Sequence, residues 1–64
     1  MKRKYTITAE IPADDAKGVA ESIKPGEYFA DTDRMDDFAS VWVGQRELLV
    51  HRPNFIRFAR AVNP

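Results

Sequence analysis

The feature that most constrains the fold of this chain is a glycine-led pair, Gly44-Gln45, that joins two strand-like runs. Residues 38–43 and 46–52 are rich in residues that favour extended structure. A two-residue connection with glycine in its first position suits a type II′ turn, so the two runs are predicted to form a β-hairpin. A turn of this length fixes the register, and Val43 must therefore face Arg46.

This register divides the hairpin into two faces of different character. One face is aliphatic and suited to receive the rest of a core, with Ala39, Val41, Leu48 and Val50. The other face mixes aromatic, apolar and polar groups, with Phe38, Ser40, Trp42, Glu47, Leu49 and His51. An exposed apolar patch usually marks an interaction site, so we expect the second face to stay open and to bind a partner.

Helices are predicted before and after the hairpin. Strict alternation over residues 4–11 indicates a half-buried strand, which Pro12 ends. A helix is expected next, with Asp14 and Asp15 in its first turn and Pro25-Gly26 as its stop. Its core face has helical spacing and consists of Ala16, Val19, Ala20 and Ile23. Pro53 begins a second helix, whose apolar stripe consists of Phe55, Phe58, Ala59 and Val62.

Residues 27–37 are predicted to form a short strand followed by an acidic loop. The whole chain, residues 1–64, is then one small α+β domain, ordered strand, helix, short strand, hairpin, helix. We expect a sheet of three or four strands with both helices on its aliphatic face. The helices would bring Val19, Ile23, Phe55 and Phe58 against Val41, Leu48 and Val50.

A chain of 64 residues has little interior to stabilise it, because such domains bury only about 60% of the surface that unfolding exposes. The sequence has no cysteine and a single histidine, so neither disulfides nor a zinc site supplement the core. A protein partner or a second copy of the chain would supply the missing burial. No apolar run reaches membrane-spanning length, and the cytosol is the default expectation.

The residues needed for catalysis or cofactor binding are sparse. A nucleophilic triad requires a serine or cysteine, a histidine and a carboxylate in contact, and the hairpin offers only Ser40 and His51 on one face. The three glycines stand apart, unlike those of a phosphate-binding loop. The acidic run at 31–37 lacks the central glycine and closing glutamate of a calcium loop. We therefore expect neither enzymatic activity nor a metal or other cofactor.

Charge is segregated along the chain although the formal net charge is zero. Residues 1–8 carry +3, residues 9–37 carry −6 and residues 38–64 carry +3. Such a dipole steers a small protein towards a charged partner. The acidic block favours docking on a basic groove of a larger protein, through Asp31, Asp33, Asp36, Asp37, Phe38 and Trp42. In size and composition the chain resembles the small inhibitors that phages and mobile elements make against host nucleases or polymerases, so an inhibitor or adaptor is expected.

Nucleic-acid binding is the alternative that the sequence leaves open. The basic residues that would contact phosphates are Lys2, Arg3, Lys4, Arg46, Arg52, Arg57 and Arg60. Phe38 or Trp42 would offer a platform on which bases stack. The isoelectric point of about 6.5 is lower than nucleic-acid-binding domains usually show, which favours protein docking.

Overall fold

Residues 1–62, the part of the chain that the structure describes, form a seven-stranded antiparallel sheet and one short helix. The structure is a computed structural model. In sequence order the strands are β1 (Arg3–Ile7), β2 (Ile11–Asp14), β3 (Ala20–Ile23), β4 (Gly26–Asp31), β5 (Phe38–Val43) and β6 (Arg46–His51), followed by helix α1 (Arg52–Phe58) and strand β7 (Ala59–Ala61). The strands lie side by side in the order β3-β2-β6-β5-β4-β1-β7.

The sheet must curl, because β1 and β2 are consecutive in sequence but four positions apart in the sheet. Only residues 8–10 join them, and the four steps from Ile7 to Ile11 span at most about 14 Å. In a flat sheet, four strand spacings of about 4.8 Å would separate β1 from β2 by about 19 Å. The sheet therefore bends until its two sides approach each other and encloses an interior, as an open barrel does.

The inner face of the curled sheet carries the hydrophobic core. Its buried members come from six strands and the helix, and they are Ile7, Ile11, Ala13, Ile23, Ala30, Ala39, Val41, Leu48, Val50 and Phe55. The helix is anchored through Phe55, whose ring meets the ring of Tyr5 edge to face with 4.9 Å between the centroids. One short helix and one curled sheet thus share a single core.

The predicted hairpin and its register are confirmed. Strands β5 and β6 pair from Val43 with Arg46 to Phe38 with His51. Gly44 has a φ of 65°, and the described residues contain no positive φ outside glycine, which is the pattern of a type II′ turn. The aliphatic side chains of this hairpin are buried as expected, with Val41 at 0% and Leu48 at 2% exposure.

The predicted helix over residues 14–24 is wrong, because this segment forms the β2–β3 hairpin. Both Lys17 and Val19 donate their backbone N–H to Oδ1 of Asp15, each at 2.8 Å, and Gly18 takes a φ of 82°. An aspartate that accepts nearby backbone bonds and a glycine in the left-handed region close a tight turn, and this local chemistry wins over the helical spacing. Ile23 is buried as predicted, but Val19 is 56% exposed and does not join the core.

Two further expectations need correction. The single strand over residues 4–11 is interrupted at residues 8–10, and Pro12 lies within β2 with an exposed side chain rather than ending a strand. The second helix does include Pro53 in its first turn, but it ends at Phe58. Ala59 continues as β7, which pairs with β1.

The predicted α+β fold, with three or four strands and two helices on one face, is therefore wrong. The described residues form seven strands and one helix. The curled sheet itself covers the core that the first helix was expected to cover. The short strand and acidic loop predicted over residues 27–37 are confirmed by β4 and the non-strand residues after it. Within residues 1–62 no helix is long and apolar enough to cross a membrane.

Candidate functional site

Alternation along the strands places a second set of side chains on the outer face of the sheet, which points away from the core. The pairing register aligns Lys4 of β1, Phe29 of β4, Trp42 of β5 and Glu47 of β6 in one row across four strands. The two faces predicted for the hairpin therefore extend across the central strands of the whole sheet.

Residues 32–37, which we call the 32–37 loop, lie over the middle of the outer face, where Arg34 and Met35 line a depression together with Glu47 and Leu49. Arg34 of this loop forms an ion pair with Glu47, with 2.7 Å between Nη1 and Oε2. Leu49 is half-buried, and Ser40 is only 2% exposed although both belong to the outer face. The expectation of an open sheet face is wrong for this central part, and two ends of the face remain accessible.

Arg52 holds the 32–37 loop in place. Its Nε donates to the carbonyl oxygen of Asp36 at 2.6 Å, and its Nη2 donates to the carbonyl oxygens of Thr32 and Met35. Its backbone N–H donates to the carbonyl oxygen of Asp37 at 2.8 Å. The Arg52 guanidinium, which was predicted to contact phosphates, thus donates hydrogen bonds to the backbone of the 32–37 loop.

The Asp31 carboxylate, at the end of β4, also makes contacts within the protein. Its Oδ1 accepts the backbone N–H of Asp33 at 2.8 Å and lies 3.2 Å from the amino nitrogen of Met1. The N–H of Asp33 and the charged amino group together hold the pKa of the Asp31 carboxyl below its ordinary value. Asp31 is nearly buried, whereas Asp33 is exposed, so these two of the four carboxylates predicted to dock differ in access.

At one end of the outer face lies a depression of about 460 Å³, which we call the acidic hollow. It is lined by Asp36, Asp37, Phe38, His51, Arg52, Pro53 and Ile56. The rings of Phe38 and His51 meet edge to face with 4.8 Å between centroids. Ile56 is 66% exposed. Three of the six residues predicted to bind a protein partner, Asp36, Asp37 and Phe38, therefore meet at one apolar surface.

At the other end of the outer face lies a group that we call the aromatic–lysine patch, formed by Lys2, Lys4, Phe29 and Trp42. The Lys2 ammonium lies 4.2 Å from the ring centroid of Trp42, and the Lys4 ammonium lies 5.5 Å from that of Phe29. Phe29 is 50% exposed and Trp42 is half-buried. Trp42 is therefore less open than its place on an uncovered hairpin face implies.

The other basic residues considered for nucleic acid are dispersed. Arg46 forms an ion pair with Glu21, whose carboxylate raises the pKa of the guanidinium. Arg57 lies 5.4 Å from the ring centroid of Phe58 on the exposed side of α1. Arg60 lies across from Thr6 on β7, and Arg3 is exposed on β1. Of the basic residues considered, the structure thus brings only Lys2 and Lys4, within residues 1–62, to the rings of the outer-face aromatics Trp42 and Phe29.

The residues considered for catalysis and metal binding occupy unrelated environments. Ser40 is buried opposite Leu49, whereas His51 is exposed opposite Phe38. Among residues 1–62, no three histidine or acidic side chains converge as a metal site requires.

Two surface residues were not predicted as site residues, namely Phe29 and Ile56. Phe29 sits in the short run 27–30, where alternation with the half-buried Tyr28 could have placed it on the outer face. Ile56 follows the core residue Phe55 in a helix, and the apolar spacing of α1 leaves it on the side turned to solvent. Both are large hydrophobic residues that the folded chain leaves exposed.

Comparisons with family models, with curated proteins and with solved structures found no match to this chain. Its function has to be inferred from the geometry of the outer face.

Proposed function

We propose that this protein is a non-catalytic binding module, acting as an inhibitor or adaptor, that docks through the acidic hollow on a basic segment of a larger protein. The observation that carries the proposal is the exposure of Ile56 at 66% beside Phe38, Asp36 and Asp37. Arginine and lysine side chains combine an apolar stem with a charged end, so a surface that pairs apolar groups with carboxylates fits them.

The backbone under the carboxylates supports this proposal, because Arg52 and its backbone N–H hold the carbonyl groups of both Asp36 and Asp37. A loop that is already ordered loses little conformational entropy when a partner binds. The acidic segment would also raise the association rate with a basic surface, an effect that salt weakens.

A peptide titration tests the proposal directly. A short peptide that alternates arginine and leucine is added to isotope-labelled protein, and the amide shifts of residues 36–38, 51–52 and 54–56 are followed by NMR. We expect these shifts to move, and the D36N/D37N variant to weaken binding about 2- to 30-fold, because each partly exposed ion pair contributes about 0.2–1 kcal/mol.

The matched control is E10Q/E27Q, which removes two negative charges outside the hollow and should leave the affinity close to that of the wild type. A second peptide with glutamate in place of arginine should not bind. Equal binding of both peptides, or shifts that spare the hollow, would contradict the proposal. Ile56→Ala should weaken binding without loss of stability, since Ile56 is exposed.

A further inference from the structure

We infer that the aromatic–lysine patch binds single-stranded nucleic acid, with bases stacked on Phe29 and Trp42 and phosphates held by Lys2 and Lys4. This site lies at the opposite end of the outer face from the acidic hollow and shares no residue with it. Binding at this site can therefore be tested independently of the proposed protein docking.

The two rings are neighbours in the sheet. Phe29 of β4 lies directly across from Trp42 of β5, and side chains at such positions have Cβ atoms about 4.5–5.5 Å apart. Both strands are interior to the sheet, so the rings rest on a backbone that is hydrogen-bonded on each side. Two adjacent aromatic rings on a firm sheet are the platform on which proteins stack unpaired bases.

The charges around the rings complement a phosphate backbone. Lys2 and Lys4 bring their ammonium groups to within 4.2 and 5.5 Å of the ring centroids. Of the nearby acids, Glu47 is paired with Arg34 at 2.7 Å and Glu27 with Lys4 at 3.9 Å, while Asp31 and Asp33 each lie 3.2 Å from the amino nitrogen of Met1. The patch therefore presents positive charge at the edge of an apolar surface.

The lysines over the rings do not block the site. Both are exposed, flexible side chains, and an exposed cation–π contact is weaker than the stacking of a base on an aromatic ring. A base can displace the ammonium group from the ring, and the freed lysine can then pair with the adjoining phosphate. A duplex keeps its base faces stacked on one another, and an acidic peptide would use the lysines but not the rings. The geometry thus favours a single strand over both.

The only tryptophan of the chain lies in this patch, so its fluorescence reports on the site. The probe is an oligothymidylate of about eight nucleotides, within the span that one small domain covers. We expect it to quench Trp42 and to bind more weakly as salt rises. Phe29→Ala should reduce the affinity about 5- to 150-fold, the range measured for the loss of one stacked base. Glu27→Gln, which removes a negative charge beside Lys4, should strengthen binding.

The lysines are tested through the salt dependence. The K2Q/K4Q variant should reduce the slope of log affinity against log salt by about 1.4, since each phosphate contact with a single strand contributes about 0.7. The K17Q/K24Q variant removes the same charge outside the patch and should keep the wild-type slope. The D36N/D37N variant should retain binding, which separates this site from the acidic hollow.

Three results would overturn the inference. They are an absence of quenching by oligothymidylate, equal affinity for a duplex or for oligoglutamate, and equal slopes for the two double-lysine variants. Should Phe29→Ala fail to fold, the lysine variants decide the matter alone, because all four lysines are exposed.

Discussion

The inner and outer faces of strands β4, β5 and β6 differ in what their side chains do for the protein. On the inner face Ala30, Val41 and Leu48 are almost completely buried, whereas on the outer face Phe29 and Trp42 keep part of their surface in solvent. Adjacent residues of one strand point to opposite faces, so neighbours in sequence belong to different environments. The inner face therefore supplies the buried core, whereas the outer face leaves aromatic surface exposed to solvent.

The outer face is itself divided by the 32–37 loop. Arg52, the first residue of α1, donates hydrogen bonds to the backbone of this loop. Arg34, within the loop, forms an ion pair with Glu47 of β6. The loop leaves the acidic hollow at one end and the aromatic–lysine patch at the other. A small sheet can thus present two surfaces of opposite charge, although its net charge is zero.

The largest expected difference in stability between the two faces is at two neighbouring leucines. Leu48→Ala should cost about 2–5 kcal/mol of unfolding free energy, because it leaves a cavity in the core. Leu49→Ala, on the outer face, should cost clearly less, since Leu49 is only half-buried. Urea unfolding of both variants measures the difference. Equal losses would mean that the two faces are not distinct.

The cover on the middle of the outer face depends on Arg52. Arg52→Met should cost about 1–3 kcal/mol, because it removes charge-assisted hydrogen bonds to the loop backbone. Arg57→Met is the matched control and should change the stability little, since Arg57 is exposed on the helix. Hydrogen exchange of the loop amides should accelerate only in the Arg52 variant. Unchanged exchange would show that the loop is held by other contacts.

A substitution at Gly18 tests whether the segment before β4 forms the β2–β3 hairpin or a helix. The left-handed φ of 82° makes Gly18→Ala unfavourable by about 1 kcal/mol, although no atom of residues 1–62 lies within 4 Å of the added methyl group. A helix in this segment would instead gain about 1 kcal/mol from the same substitution. The sign of the change in unfolding free energy therefore distinguishes the β2–β3 hairpin from a helix, and Gly18→Asn should lose less than Gly18→Ala.

The central hairpin was predictable because Gly44-Gln45 determines both its turn and its register. The segment before it was not, since apolar residues at helical spacing coincided there with a turn made by Asp15 and Gly18. Strand β7 was missed because the apolar spacing that begins at Phe55 continues past the end of the helix.

The candidate surfaces were predictable only in part. Asp36, Asp37 and Phe38 are neighbours in sequence and share the acidic hollow, but the contribution of Ile56 depends on how α1 returns to the sheet. The covered centre of the outer face depends on Arg52 reaching loop carbonyls 16 to 20 residues earlier in the chain. Contacts over such distances leave no local pattern in a sequence.

Acid should weaken the anchoring of the loop through Asp31. The pKa of this carboxyl is lowered in the folded protein, so its contribution to stability is complete above the ordinary value of about 3.8 and is lost as the pH falls through the lower folded value. Melting temperatures of the wild type should decline in this acidic range. The Asp31→Asn variant should decline less steeply there, and parallel curves would show that Asp31 is not the group responsible.

The most direct test of the division between the two faces is the unfolding free energy of Phe29→Ala. Phe29 is a large aromatic residue in the middle strands of the sheet, yet half of its surface is exposed. We expect a loss of roughly 1 kcal/mol or less, compared with about 3–5 kcal/mol for a phenylalanine in a core. A loss in the larger range would place Phe29 in the hydrophobic core and contradict an outer face that is free to bind.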